Sequence, residues 1–478
     1  MTERSLSFCM VTTFYPPYSF GGDAIFVQRL SNELARRGHT VDVIHCVDSY
    51  RIMTGEAPKT TPADHPNVTV HSLESRVGHL SPLATQQTGL PLFKSAAIRE
   101  ILNRPFDVIH YHNISLVGGP GVLRYGEGIK LYTAHEYWLV CPTHLLFRFK
   151  RAPCETPHCA ACTLSHKRPV QSWRYTNLLQ DAIKHVDAFI GLSRFTMELH
   201  RRKGLDVPFV YLGSFVPRAA GYAPGSGVDL EEPYFLFVGR LERIKGLQTL
   251  FPVFKRYRKA KLLVAGAGRY GQELRELARG ANVHFLGHVA EAQLNELYRN
   301  AVAVIVPSIW YEIFPLVMLE AFRQQTPVVA RKLGAMVEVI EESGGGVLYE
   351  SDDELLAAMD RLLEDRSYRT TLGMSGYQAY EQKWTAEAHL DRYLALIQEL
   401  AARRRPPLRA HGRVGSHGGG WPHGARSSGK DQPRERAENG SVRGPVVFSE
   451  RHPRHLTHQV GSAPQRGRDD SCLLAHSG

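Results

Sequence analysis

Leu6-Ser-Phe-Cys-Met-Val-Thr12, the loop Tyr15-Pro-Pro-Tyr-Ser-Phe-Gly21-Gly22, the segment 24–37 and Thr40-Val-Asp-Val-Ile-His-Cys46 follow one another without a break. The first run is almost wholly apolar, as a strand buried on both faces is. Proline and glycine punctuate the loop. Ile25, Phe26, Leu30 and Leu34 then recur at helical spacing, and Gly38 stands where a helix is closed. Strand, glycine loop, helix and strand form the opening unit of a doubly wound α/β sheet. Working outward, 68–73, 108–111, 129–133 and 188–192 read as further strands of the same sheet. A second series begins at Tyr234, with strands predicted at 234–238, 261–265, 283–286, 302–306 and 327–330 and a helix through 316–323.

The predicted fold class is therefore α/β: two Rossmann-like doubly wound domains facing a central cleft. The first covers 1–213, with a Cys-rich insertion at 141–168. A Gly/Pro-rich linker spans 214–232, and the second domain 233–385. A C-terminal helix at 386–403 is expected to cross back to the first domain. Residues 404–478 read as a disordered basic tail, rich in Gly, Pro, Arg, His and Ser and without apolar periodicity.

Charge follows the same division. The 478 residues carry a net +11, but from Arg403 onward 14 Lys/Arg stand against 6 Asp/Glu, so +8 of it lies in the tail. The body is close to neutral, and no nucleic-acid module is visible, so no nucleic-acid partner is expected. No run of about 18 apolar residues marks a membrane span. The N-terminus lacks the pattern of a secretory signal, so a cytoplasmic chain is expected. Cys9 and Cys46 fall in strand-like runs and read as core thiols.

Ligands of open α/β sheets bind beyond the carboxyl ends of the strands, so the loops after each strand hold the candidates. Pro307-Ser-Ile-Trp-Tyr-Glu312-Ile-Phe314-Pro315-Leu316-Val317-Met-Leu-Glu320-Ala follows a strand and opens a helix. Pro315 suits the first helical position, and the free amides behind it favour a phosphate group. If fully helical, Glu312 to Glu320 spans about 12 Å, enough for two acids to hold the ends of a nucleotide-sugar. The bland alternative is two acids favoured by a helix dipole. Gly239-Arg240-Leu-Glu-Arg-Ile-Lys245-Gly246 offers two cations on one loop, or merely a solvated basic loop; Arg243 is expected to face solvent in either case. Gly21-Gly22 lets backbone approach a ligand, or simply makes a turn. His135 in Thr133-Ala-His135-Glu136, and His110 and His112 in Asp107-Val-Ile-His-Tyr-His112, stand at strand ends as either site or core residues. Gly266-Ala-Gly268 is only a fragment of a dinucleotide fingerprint and does not support hydride transfer.

These stretches resemble the family-4 retaining glycosyltransferases of the group 1, GT-B type. The likeness runs through Phe14-Tyr-Pro-Pro17, Gly21-Gly22, Arg37-Gly-His-Thr-Val-Asp-Val-Ile44, the Glu312–Glu320 motif, Thr326-Pro-Val-Val-Ala330, Leu333-Gly-Ala-Met-Val-Glu-Val-Ile340 and Gly344-Gly-Gly-Val-Leu-Tyr349. It covers most of residues 8 to 400. The resemblance implies a hexosyltransferase using a nucleotide-sugar donor and no catalytic cofactor. Glu320 would hold the ribose and Glu312 the donor sugar. Arg240 and Lys245 would neutralise the diphosphate, Gly21 and Gly22 would meet it, and His135 would touch the sugar near the reaction centre. His112 would reach the acceptor or line the cleft. Many relatives have Gly after Phe314. Pro315 here removes one amide, which shifts the contacts to Leu316 and Val317.

Cys141, Cys154, Cys159 and Cys162, the last two as Cys-Ala-Ala-Cys, have the residue types and spacing of a structural zinc site. His158 is a rival ligand, and disulfides or free thiols are the other readings. Basic and apolar residues mix at Leu145–Arg151 and His166–Arg168, so this loop is expected to shape the acceptor site and to touch the inner face of a membrane peripherally. The acceptor class, a polysaccharide, a lipid-linked glycan or a small molecule, is left open. The rival functions are a nucleotide-sugar epimerase or hydrolase and a non-catalytic nucleotide-sugar-binding protein.

Overall fold

A computed structural model describes residues 4–54, 63–218 and 232–404. The basic tail beyond Arg404 and most of the linker lie outside the described residues.

Two all-parallel sheets form the body. In chain order the strands of the first half are β1 (Ser7–Val11), β2 (Thr40–Cys46), β3 (Val68–Leu73), β4 (Val108–Tyr111), β5 (Ile129–Thr133), the short hairpin β6 (Phe147–Arg148) and β7 (Ala152–Pro153), β8 (Ala188–Gly191) and β9 (Phe209–Tyr211). The seven-stranded sheet runs β3-β2-β1-β4-β5-β8-β9, with the hairpin apart from it. The second half contributes β10 (Tyr234–Val238), β11 (Lys261–Ala265), β12 (Val283–Gly287), β13 (Ala303–Val306), β14 (Val328–Arg331) and β15 (Gly346–Tyr349), in the order β12-β11-β10-β13-β14-β15. The central strands are apolar because both faces are covered: Phe8, Met10, Val108, Leu236 and Val304 are fully buried.

In each sheet the winding reverses beside one strand, between β1 and β4 and between β10 and β13. Such a switch point opens a crevice at the strands' carboxyl ends. The loops carrying Gly21, His112, Arg240 and Glu312 all leave from these four strands.

The first helix begins earlier than its apolar spacing suggests. It runs Gly22–Arg36 with Gly21 as its cap, and Gly38 turns the chain out at φ 88°. The last helix, Ala386–Arg404, lies against the first half of the chain. His389 Nδ1 bonds the Gly213 carbonyl oxygen at 2.9 Å, the Tyr393 hydroxyl bonds His110 Nδ1 at 2.8 Å, and Arg37 pairs with Asp391. The linker's first residues are not a solvated loop. Phe215 and Val216 are fully buried, and the Val216 amide donates to the Trp384 carbonyl. No helix among the described residues is long and apolar enough to cross a membrane.

Candidate active site

Lys245 and Glu312 meet across the second switch point. The chain leaves β10 through Gly239-Arg240, makes a tight turn at Arg243–Lys245 and continues through Gly246 at φ 74°. A Cβ on Gly246 would stand 2.0 Å from the Pro307 carbonyl oxygen. Only glycine lets this loop seat against the end of β13, and that seating carries Lys245 to the acid. Lys245 Nζ donates to both carboxylate oxygens of Glu312, at 2.9 and 3.2 Å, and the Ser308 hydroxyl donates to one at 2.6 Å. Glu312 is buried. Burial alone would raise its pKa, but the Lys245 charge and the hydrogen bonds from Ser308 and Lys245 outweigh it and hold the carboxyl below its usual range. A carboxylate fixed in this way is ready to accept hydrogen bonds from sugar hydroxyls.

The helix after Glu312 has the expected bounds, but Pro315 takes a different place in it. Pro315 is its cap (φ −80°, ψ 92°) rather than its first residue, and Leu316–Arg323 is helical. The first bond back is the Met318 amide to the Pro315 carbonyl, 3.0 Å. The amides of Leu316 and Val317 precede it and stay available to an anion. The path from Glu312 to Glu320 is half irregular, so the 12 Å expectation for a continuous helix does not apply. Glu320 lies one turn beyond Leu316 on the same face, and one of its oxygens accepts from the Tyr298 hydroxyl at 2.8 Å.

The first domain closes the site from the other side. A Cβ built on Gly22 would touch Leu316 Cδ1 at 3.7 Å. The first residues of two helices, Gly22–Arg36 and Leu316–Arg323, therefore face each other across the cleft, and both aim positive dipole ends into it. A cavity of about 200 Å³ between them is lined by Gly22, Asp23, His135, Arg240, Lys245 and Glu312, together with Phe314 and Leu316. Arg240 pairs with Glu242 at 3.2 Å on its rim.

His135 points into this cavity, and its Nε2 bonds His112 Nδ1 at 3.0 Å. Its pKa is brought down to about 4, with burial the main cause and the Asp23 charge opposing it. The imidazole is therefore neutral at physiological pH. His112 departs from expectation. It is 1 % exposed and stands behind His135, out of reach of an acceptor, so it orients the ring instead. His110, bonded to Thr133 and Tyr393, is structural, as its place in the strand alternation suggests.

Three contributors were not singled out from the sequence. Asp23 follows Gly22 and accepts from Asn113 at 3.2 Å; Ser308 stands four residues before Glu312; His144, at φ 71°, bonds Glu136 at 2.8 Å. An acid directly after the glycine pair was the available signal for Asp23. The others depend on contacts between loops.

The zinc expectation does not match the arrangement of the loop. Cys141 and Cys162 are buried, Cys154 is half-buried and Cys159 is exposed, and all four are free thiols. Cys141 bonds Thr143, Cys154 donates to the Thr156 carbonyl, and Cys162 accepts from the Phe149 amide. No group of three or more His, Cys, Asp or Glu able to hold a metal occurs among the described residues. Burial raises the Cys154 thiol against the opposing Lys203 charge, and burial followed by Cys141 raises Cys159.

Two doubly wound domains closed over a cation–carboxylate pair and two helix starts define a GT-B transferase. A profile described as glycosyl transferases group 1 matches residues 223–379, and one described as Glycosyltransferase Family 4 matches residues 20–213. The chain belongs to this family of glycosyltransferases. It is 27% identical to an uncharacterized glycosyltransferase of Methanocaldococcus jannaschii, over 76% of this chain and 90% of that one. It is 28% identical to a D-inositol 3-phosphate glycosyltransferase of Xylanimonas cellulosilytica, over 81% and 93%. Among solved structures, sucrose-phosphate synthase from Thermosynechococcus elongatus shares the fold with TM-score 0.65 at 21% identity, over 84% of this chain and 100% of that one. The Anabaena protein HepE, solved in complex with UDP, does so with TM-score 0.55 at 15% identity, over 82% and 100%.

Proposed function

We propose that the chain transfers a hexosyl residue from a nucleoside-diphosphate sugar to an acceptor hydroxyl with retention at the anomeric carbon. The observation that carries this reading is the convergence of Lys245–Glu312, neutral His135 and two opposed helix starts on one cavity. The diphosphate lies against Lys245, Arg240 and the amides of Leu316 and Val317. These groups stabilise its charge as the bond from anomeric carbon to phosphate oxygen breaks. The acceptor oxygen bonds the anomeric carbon on the same face, and its proton passes to the departing diphosphate. Glu312 orients the sugar hydroxyls, His135 contacts the sugar on the acceptor side, and Glu320 holds the ribose. Positive charge for the leaving group thus comes from protein groups. UDP-sugars are the first donors to try, since HepE was solved with UDP and with UDP-glucose. A place in cell-envelope glycan assembly on the cytoplasmic side suits an acceptor delivered at a membrane surface.

The test is thermal-shift screening of nucleotide-sugars, followed by NMR of the product anomer. A stabilising donor and a retained configuration support the reading. An inverted product, or no donor bound at millimolar concentration, overturns it. Glu320→Gln is expected to weaken donor binding about tenfold, the worth of one charge-assisted hydrogen bond, while turnover at saturating donor stays near wild type. Titration of donor against both proteins checks this, and unchanged affinity removes Glu320 from the ribose.

A further inference from the structure

A second and larger cavity, about 680 Å³, opens beside the reaction site and shares Leu145, Arg240 and Ile244 with it. Its walls come from both domains, and they are of two chemical kinds. Phe20, Met53, Leu145 and Phe147 supply apolar surface. Lys150, Arg243 and Arg269 supply cations, and no carboxylate partner reaches any of the three among the described residues. The acids on the same wall are already engaged, Glu242 by Arg240 and Glu273 by the Tyr270 hydroxyl. Lys150 is held at φ 58°, a conformation that L-residues adopt rarely. Cations left unpaired along an apolar wall match a ligand that is itself both anionic and apolar.

We infer that this cavity binds the acceptor, and that the acceptor carries a phosphate or diphosphate group joined to an apolar chain. The phosphate sits among Lys150, Arg243 and Arg269, and the chain lies along Phe20, Met53 and Phe147. The shared residues at Arg240 and Ile244 bring the attacking hydroxyl to the donor sugar. The inference rests on the transferase reading above and narrows its acceptor. A second observation agrees with an apolar chain that comes from a lipid surface. Met53 lies on the helix Val47–Thr54, which packs against the helix Leu80–Thr88. Leu80 on that second helix and Leu92 and Phe93 on the turn after it are about half exposed. Isolated exposed apolar residues are ordinary; Leu92 and Phe93, adjacent in the chain and both exposed, are less so.

The experiment uses the full chain saturated with UDP, with binding read by calorimetry. The probes are inorganic pyrophosphate, farnesyl diphosphate, and phosphatidylcholine vesicles with and without a polyprenyl diphosphate. Farnesyl diphosphate is expected to bind at least about tenfold more tightly than pyrophosphate, since chain burial adds to the phosphate contacts. The double variant K150E/R269E is expected to lose about tenfold or more of that affinity and to keep the thermal shift given by UDP-glucose. Binding to vesicles only when they carry the polyprenyl diphosphate would place the source in a membrane; binding of the soluble probe alone would place it in solution. Either outcome supports the shared chemistry. Any of these results overturns it: pyrophosphate binding as tightly as the farnesyl compound, the farnesyl compound displacing UDP-glucose, or undiminished binding by the double variant. A donor that binds while no apolar phosphate does defeats this inference alone, whereas absence of donor binding defeats the transferase reading.

Discussion

Lys245→Met is expected to reduce glycosyl transfer about a thousandfold, the scale of losing one preorganised charge at a developing anion, and to lower stability at the same time. The two losses have different origins. Turnover falls because the diphosphate loses the cation that meets it as it departs. Stability falls because Glu312 is buried and Lys245 is the only cation paired with it among the described residues. Breaking a buried pair by removing one member costs about 3 kcal/mol or more, although the partly exposed lysine end softens this figure. Ser308 still donates to the acid, so the chain should fold. The double variant K245M/E312Q separates the effects. It replaces the charged pair by neutral groups of similar size, so most of the lost stability should return, while turnover stays at the level of the single variant or below. Denaturant titration and initial rates on the three proteins decide the matter. A single variant within tenfold of wild-type turnover would remove Lys245 from the chemistry.

Acid should unfold the first domain well before carboxylates are neutralised. Burial is the largest cause lowering the pKa of His45, His135 and His200 to about 4 and of His389 to about 3. Burial also lowers His110, His112 and His144. These rings are neutral in the folded protein and take up protons on unfolding. Their unfolded value is near 6.5, so stability is complete above that pH. It declines as pH falls towards the folded values of about 4, because the unfolded chain binds more protons throughout that window. Each of His45, His135, His200 and His389 loses on the order of 2 kcal/mol of stabilisation by pH 5. The expected drop in Tm between pH 7 and pH 5 is therefore about 10 °C or more. Differential scanning calorimetry at several pH values measures it, with proton uptake read from buffers of different ionisation enthalpy. A flat Tm over that interval would mean that the histidines are more hydrated than their burial indicates.

Much of this architecture is legible along the chain because it depends on near neighbours. Apolar runs such as 6–12 and 234–238 must be covered on both faces, and helical spacing at Ile25, Phe26, Leu30 and Leu34 must present a stripe to a sheet. Those constraints already specify parallel sheets with loops at their carboxyl ends, whereas Glu312, Lys245 and His135 are picked out within those loops by the family resemblance. The boundary residues were less legible. Gly22 and Pro315 sit at helix starts where cap geometry, set by the facing loops, chooses the first helical residue.

Contacts between distant residues follow a different logic. Lys245 and Glu312 are 67 residues apart and meet because Gly246 alone fits beneath Pro307. His112 and His135 look equivalent as strand-end histidines, yet the neighbouring strands place one behind the other. The four cysteines have metal-like spacing, yet packing leaves Cys141 and Cys162 buried and Cys159 exposed. Periodicity acts over one or two turns of chain and can be read without coordinates. The facing of two helix starts, and the gathering of unpaired cations on an apolar wall, arise from how separate elements pack, for which no local pattern exists.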